Sequence, residues 1–359
     1  MKAPVFCLVL GVPLVGAAQT LSIEEYEPKS LLVAPENKPQ RAKFPVIDVH
    51  NHQRTSPPER LQQLLRDMDA LNIHAMVNLS GGYGDTLAKN AAAMRAAGGD
   101  RFVVFANLNF SGLDEPGYAE RAAAQLAEDV KNGARGLKIF KNFGMDLKDS
   151  KGQRVRVDDP RFDRVFETCA RLNIPVLIHT AEPKGLHLPM DKYNERWLEL
   201  KLYPRRARPP DKYPTWEELL AEQHRLFARH PKTTFINAHL GWLGIDLARL
   251  GQLLDRLPNV YTEISAVIEE PARQPRFARQ WFIRYQDRVM FGKDTWNPKE
   301  YLTYFRILET EDDYFDHDRK YHGMWKAYGL GLPDEVLKKL YYKNALKVIP
   351  GLSSQGLPD

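Results

Sequence analysis

From Phe44 onward the chain alternates between short apolar runs and stretches with helical spacing. Pro45-Val46-Ile47-Asp48-Val49 is the first apolar run. Residues 58–71 follow, with Leu61, Leu64, Leu65, Met68 and Leu71 on one face of a 3.6-residue repeat, which predicts a helix. Residues 73–79 predict a second strand, Gly81-Gly82-Tyr83-Gly84 its loop, and the alanine-rich stretch 85–97 a second helix. The same alternation continues with strands at 102–108, 134–140 and 174–178. Helices are expected between them at 116–132, closed by Gly133, and at 160–172. The last third predicts strands at 233–238, 259–264 and 288–293, and helices at 216–229, 244–257, 275–285 and 333–348.

Eight strands separated by crossover helices require a parallel sheet, open or closed. Polar groups decide between the two. The first strand runs into His50-Asn51-His52, the fifth into His179, the sixth into His239 and the eighth into Asp294. Only closure brings strands one, five, six and eight together at one rim, so the expected fold is α/β, a (β/α)8 TIM barrel in a single domain.

Two connections exceed an ordinary loop. Residues 182–214 carry Lys184, Lys192, Arg196, Arg205, Arg206 and Arg208 among aromatic residues. Residues 295–332 carry Trp296, Tyr301, Tyr304, Tyr314, Tyr321 and Trp325. Both leave the rim that bears the histidines, and they read as lid insertions or as packed surface segments.

The termini frame this domain. Residues 1–18 have a thin positive start, an apolar stretch from Val5 to Val15 and the small residues Gly16-Ala17-Ala18, the pattern of a cleavable signal peptide. Residues 19–43 form a polar arm or linker, 44–351 the barrel and 352–359 a C-terminal tail. This organisation implies export to the periplasm or outside the cell, with no stable membrane insertion after cleavage. The formal charge of +5 lacks the concentrated basic stripe of a nucleic-acid binder. Of the two cysteines, Cys7 lies in the leader, so Cys169 has no partner for an internal disulfide. Homo-oligomerisation is left open.

Strand alternation points His50 and His52 to the same side. Together with His179 and Asp294 they form a nitrogen and carboxylate donor set without thiolates. That set suits one divalent ion, Zn²⁺ foremost, with Mn²⁺ or Fe²⁺ also compatible. Such an ion would activate water as a nucleophile. His239 is the free imidazole suited to general acid/base work, and Asp294 can also accept the water's proton. The bland readings are strand caps for His50, His52 and Asp294, and satisfied core histidines for His179 and His239. Lys138 sits in the apolar run Gly136-Leu137-Lys138-Ile139-Phe140, where an unpaired ammonium is costly. Three readings stay open for it: a contact to a substrate carboxylate, a carboxylated bridge to a second metal, or a rim lysine reaching solvent. His74, His187, His224, His230, His317 and His322 read as structural.

These residues resemble the amidohydrolase superfamily, most closely the branch that contains aminocarboxymuconate-semialdehyde decarboxylase and related metal-dependent hydrolases. Val46-Ile47-Asp48-Val49-His50-Asn51-His52, Gly136-Leu137-Lys138-Ile139, Ile178-His179, Ala238-His239-Leu240-Gly241, Phe291-Gly292-Lys293-Asp294 and Lys343-Asn344-Ala345 carry the resemblance. It implies a distorted barrel with His50, His52, His179 and Asp294 on the metal and His239 assisting catalysis. Lys293, where a small residue is common, and the basic insertion after strand five depart from the pattern. Export fits hydrolysis better than the cytoplasmic aromatic degradation typical of the decarboxylases. The leading expectation is therefore a hydrolase cleaving a C–N or C–O bond of a small anionic substrate. A non-oxidative decarboxylase on the same scaffold is the alternative, and a non-catalytic secreted binding protein the third reading.

Overall fold

The computed structural model describes residues 20–53 and 57–358. The expected leader at 1–18 lies outside the described residues. The chain divides into two compact units at Val33/Ala34. In the first, one turn is closed by Ser22 and Tyr26, and Leu31 and Val33 are almost fully exposed.

The second unit is the barrel expected from the alternation. Its strands are β1 (Val46–Asn51), β2 (Ile73–Asn78), β3 (Phe102–Asn107), β4 (Ala134–Ile139), β5 (Val176–Ile178), β6 (Phe235–Asn237), β7 (Val260–Glu263) and β8 (Val289–Met290). All neighbours are parallel and run in sequence order. Closure runs through β8 and β1: Val49 N donates to Phe291 O at 2.9 Å, and Asp294 N to His50 O at 2.6 Å. The strands are buried on both faces, as helix-covered parallel strands must be.

Helix Pro58–Leu71 buries Leu61, Leu64, Met68 and Leu71 and stops at Asn72, which adopts the left-handed conformation. Helix Trp216–Arg229 starts at Thr215, whose side chain accepts from Glu218 N at 3.2 Å. The helix expected at 244–257 begins only at Leu247, because Asp246 caps it by accepting from Arg249 N. The closing helix contains a π-turn, Lys339–Lys343. Leu340 O accepts from Phe291 N at 2.8 Å, and Asn344 Nδ2 donates to Gln286 O and Val289 O, both at 2.7 Å. The last helix thus pins β8, whose exit carries Asp294.

The connection after β8 differs from the expectation. Twelve residues of 295–332 are the helix Pro298–Glu309, with Tyr301, Tyr304, Phe305 and Leu308 buried. Their spacing is helical, so these aromatics are core rather than lid. The connection after β5 folds into three short turns of helix, Lys184–His187, Trp197–Leu202 and Pro204–Arg206. Among the described residues no helix is long and apolar enough to cross a membrane.

Candidate metal centre

The exits of five strands bring the expected residues into one cluster. His50 leaves β1 fully buried, with His52 beside it at the rim. Asp294 Oδ1 lies 3.6 Å from His50 Nε2 and 3.5 Å from His52 Nε2. Donor atoms of these three residues all lie within 4.8 Å of one another. The His52 and Asp294 side chains are 24% and 27% exposed, so the cluster opens on that edge. The four imidazoles are contiguous. Ring centroids are 5.3 Å apart for His52–His50, 4.8 Å for His50–His239 and 4.4 Å for His239–His179. His179 is thus brought into the cluster through His239, not into the tight group with Asp294.

The backbone at these exits is strained. Among the described residues nine non-glycine positions have positive φ, and six of them follow β5 to β8 directly: Ala181, His239, Leu240, Trp242, Ala266 and Asp294. Left-handed non-glycine residues cost on the order of 1–2 kcal/mol each and collect where function requires a fixed geometry. Gly241 continues the left-handed turn at φ 60°, and a Cβ there would stand 2.3 Å from Asn237 Nδ2. This accounts for the glycine in Ala238-His239-Leu240-Gly241.

Lys138 on β4 is buried, which removes the reading of a rim lysine in solvent. Its Nζ lies 3.4 Å from His50 Nε2 and 5.5 Å from the Phe140 ring centroid. Among the described residues no carboxylate stands within ion-pairing distance of it. Burial lowers its amine to about 8 against the nearby negative charges of Asp294 and Glu263. Burial, aided by the charge of Lys138, also lowers His52 to about 4 and holds His50 well below the ordinary imidazole value. His179 is likewise held down by burial and by His239. Burial raises Asp294, but His50, His239, His52 and Lys138 outweigh it and leave the carboxyl lowered.

Several supporting residues escaped the sequence reading. Asp48 lies beneath His50 and accepts from His50 N, Lys293 N, Asn51 Nδ2 and the Tyr301 hydroxyl. Burial nevertheless raises its carboxyl to about 6. Ser80 Oγ lies 2.8 Å from His52 Nδ1. Glu263, fully buried at the end of β7, accepts from His239 N and stands 2.8 Å from His50 Nδ1. The signal that found the histidines would have found it, since Val260-Tyr261-Thr262-Glu263 is another strand ending in a polar group.

The donor set fits a divalent cation on chemical grounds. His239 Nδ1 lies 2.8 Å from Ser265 O, and His179 Nε2 lies 3.2 Å from Ala181 O. A carbonyl only accepts, so each of these nitrogens must carry the proton of its ring. The remaining nitrogens, His239 Nε2 and His179 Nδ1, then face each other 3.1 Å apart with no proton between them. Two lone pairs so placed call for a cation, and burial disfavours an imidazolium at His179. Among the described residues no thiolate takes part: Cys169 is buried in a helix, where burial pushes its thiol up.

Three arginines of the basic connection after β5 are matched by carboxylates. Arg196 pairs with Glu199 at 2.9 Å and Glu270 at 2.6 Å, Arg206 with Glu199 at 2.7 Å, and Arg208 with Glu182 at 3.2 Å.

A family model described as amidohydrolase matches residues 47–351. No curated protein matches the chain. Among solved structures, an uncharacterized TIM-barrel protein from Bordetella bronchiseptica aligns with a TM-score of 0.54 at 16% identity, covering 85% of this chain and 98% of that one. The 4-oxalomesaconate hydratase of Rhodopseudomonas palustris aligns with a TM-score of 0.52 at 15% identity, covering 86% and 96%. At such identities the likeness establishes the shared fold.

Proposed function

The chain belongs to the amidohydrolase family, and from that premise we propose that it is an exported metal-dependent hydrolase acting on a C–N or C–O bond of a small molecule. The observation that carries this reading is the convergence of His50, His52 and Asp294 at a partly open edge, with the proton-deficient His179–His239 pair alongside. His50, His52, His179 and Asp294 are the residues proposed to hold one divalent ion, with Zn²⁺ the foremost candidate. When bound, that ion supplies Lewis-acid polarisation and eases the deprotonation of water.

The protein's own groups divide the remaining work. Asp294, held in its charged form by the surrounding imidazoles, accepts a proton from the attacking water. His239, whose Nε2 holds no proton at the outset, takes up the water's proton from Asp294 and passes it to the leaving group, its ring fixed by Ser265 on one edge and stacked 4.7 Å from Trp242 on a face. Lys138, a cation without a carboxylate partner, receives an anionic group of the substrate. The substrate's expected negative charge now rests on this residue, because Arg196, Arg206 and Arg208 of the β5 connection are matched by carboxylates. Export rests on the apolar leader at 1–18.

The test is metal per chain on protein purified without added metal, by elemental mass spectrometry, followed by a panel of lactones, amides and esters. About one equivalent, with turnover abolished by a chelator and restored by metal, is the expected result. Two equivalents would move Lys138 into a carboxylated bridge between two ions. Chelator-insensitive turnover would overturn the metal-dependent reading. Release of carbon dioxide from aromatic acids, with no hydrolysis across the panel, would replace the hydrolase with the decarboxylase.

A further inference from the structure

His50 belongs to two groups of potential ligands at once. One is His50, His52 and Asp294; the other is His50, His239 and Glu263. The two groups use opposite edges of the same ring. Nε2 faces Asp294 and Lys138, whereas Nδ1 faces Glu263 Oε1 at 2.8 Å and Ser265 Oγ at 2.9 Å. The proton can occupy only one edge of a neutral imidazole.

Two observations place it on Nδ1. A carboxylate is an acceptor, so the contact with Glu263 requires a donor there. On the other edge Lys138 has only donors, so its 3.4 Å contact requires a lone pair on Nε2. The second group is also already satisfied by hydrogen bonds. Glu263 Oε1 accepts from His239 N at 2.8 Å, and Oε2 accepts from Ser265 N at 2.6 Å. Ser265 Oγ lies 2.9 Å from His239 Nδ1 as well. The fold makes room for this carboxylate at Gly292, where a Cβ would stand 2.6 Å from Glu263 Oε2 and 2.9 Å from His50 Cβ. That accounts for the glycine in Phe291-Gly292-Lys293-Asp294.

We propose that Glu263 is a positioning residue that fixes His50 as its Nδ1–H tautomer, turning a bare Nε2 toward Asp294 and His52, and that it anchors the left-handed turn carrying His239. The second ligand group is thus a support for the first and not a metal site of its own. This rests on the metal-centre reading above. A hydrogen-bonded carboxylate behind a histidine ligand is worth 10–100-fold in metal affinity in general.

Two measurements test it. Nitrogen-15 histidine spectra of the metal-free, full-length protein report the tautomer without reference to metal or activity. His50 is expected as Nδ1–H in the wild type and as a mixture of tautomers in Glu263→Gln. Finding His50 as Nε2–H in the wild type overturns the proposal, even if the variant does not fold. Competition of Zn²⁺ between the protein and a chromogenic chelator supplies the second readout. Glu263→Gln is expected to bind roughly 10–100-fold more weakly, with a metal-free melting curve still cooperative. Unchanged affinity in a folded Glu263→Gln protein overturns the role of Glu263 while leaving the metal centre intact. If His50→Ala also keeps wild-type affinity, the metal-centre reading itself fails, and the tautomer spectra still decide the hydrogen bond.

Discussion

Two regions of this barrel gather buried polar groups, and they do so in opposite ways. At the strand exits, His50, His52, His179, His239 and Asp294 converge with nitrogens left facing each other and a lysine without a carboxylate partner. Beside the connection after β5, Arg196, Glu199, Glu270, Arg273, Glu269 and His322 also converge, but there the charges are matched. Arg196 binds Glu199 and Glu270, Arg273 binds Glu270 and Glu195, and His322 binds Glu269 at 2.8 Å. The second region ties three stretches of chain together: the helix Trp197–Leu202, the turn Glu269–Ala272 and the segment around His322. Burial alone therefore does not mark a functional site. A centre whose donors lack partners awaits something, whereas a cluster whose charges cancel is a fastening.

Breaking the first region should show the largest effect. His239→Ala keeps the backbone N–H that Glu263 holds and removes only the imidazole. Turnover on a substrate found by the panel is expected to fall about 10²–10⁴-fold, the usual worth of a general acid or base. Metal content is expected to stay at the wild-type level. Full turnover in this variant would remove His239 from the mechanism and leave it as a wall of the centre.

The contrast between the regions also explains what the sequence disclosed. His50, His52, His179, His239, Asp294 and Lys138 were legible because each is announced locally, by an apolar run that ends in, or encloses, a polar group. Glu263 carries the same announcement more weakly: Tyr261 and Thr262 dilute the apolar run, and a glutamate at a strand end reads as solvent-facing. The cancelling cluster had no local signal at all. Arg196 meets Glu270 from 74 residues away, so the sequence alone does not show that this basic stretch has carboxylate partners. The left-handed turn at His239, Leu240 and Trp242 was equally silent, since only Gly241 favours that conformation intrinsically. The barrel itself was legible throughout, except at the helix Pro298–Glu309, where the helical spacing of Tyr301, Tyr304, Phe305 and Leu308 lies inside a segment that stands out for its aromatic residues.

Breaking the second region should lower stability and spare the chemistry. Arg196→Met leaves Glu199 to Arg206 alone and Glu270 to Arg273 alone, so the cost is expected to stay below the about 3–5 kcal/mol typical when a buried charge loses its sole partner. A lower midpoint in chemical denaturation, with wild-type metal per chain in the folded protein, is the expected result. Arg196→Met combined with Glu270→Gln should recover part of the loss, because one of the under-paired carboxylates is then gone. Loss of metal in proportion to stability would instead make the two regions one cooperative site and dissolve the comparison.

The smallest effect sharpens the comparison through pH. Burial by itself raises the Glu269 carboxyl, but the hydrogen bond and charge of His322, with the charge of Arg196, outweigh burial and hold it at about 2 against an ordinary value of 4.5. A carboxyl depressed in the folded state releases its proton more readily there than in the unfolded chain. Its contribution is therefore complete above about pH 4.5 and disappears as the pH falls toward about 2. Metal-free protein should accordingly lose stability across that acid window, and Glu269→Gln should flatten the loss by about 3 kcal/mol. The exposed pair Arg249–Glu217 supplies the control: Glu217→Gln should change stability by less than about 1 kcal/mol, because solvent screens a surface pair. If Glu269→Gln leaves the acid limb unchanged, the His322 contact does not fasten the turn at Glu269–Ala272. The charge matching around Arg196 would then be the whole of that region's contribution.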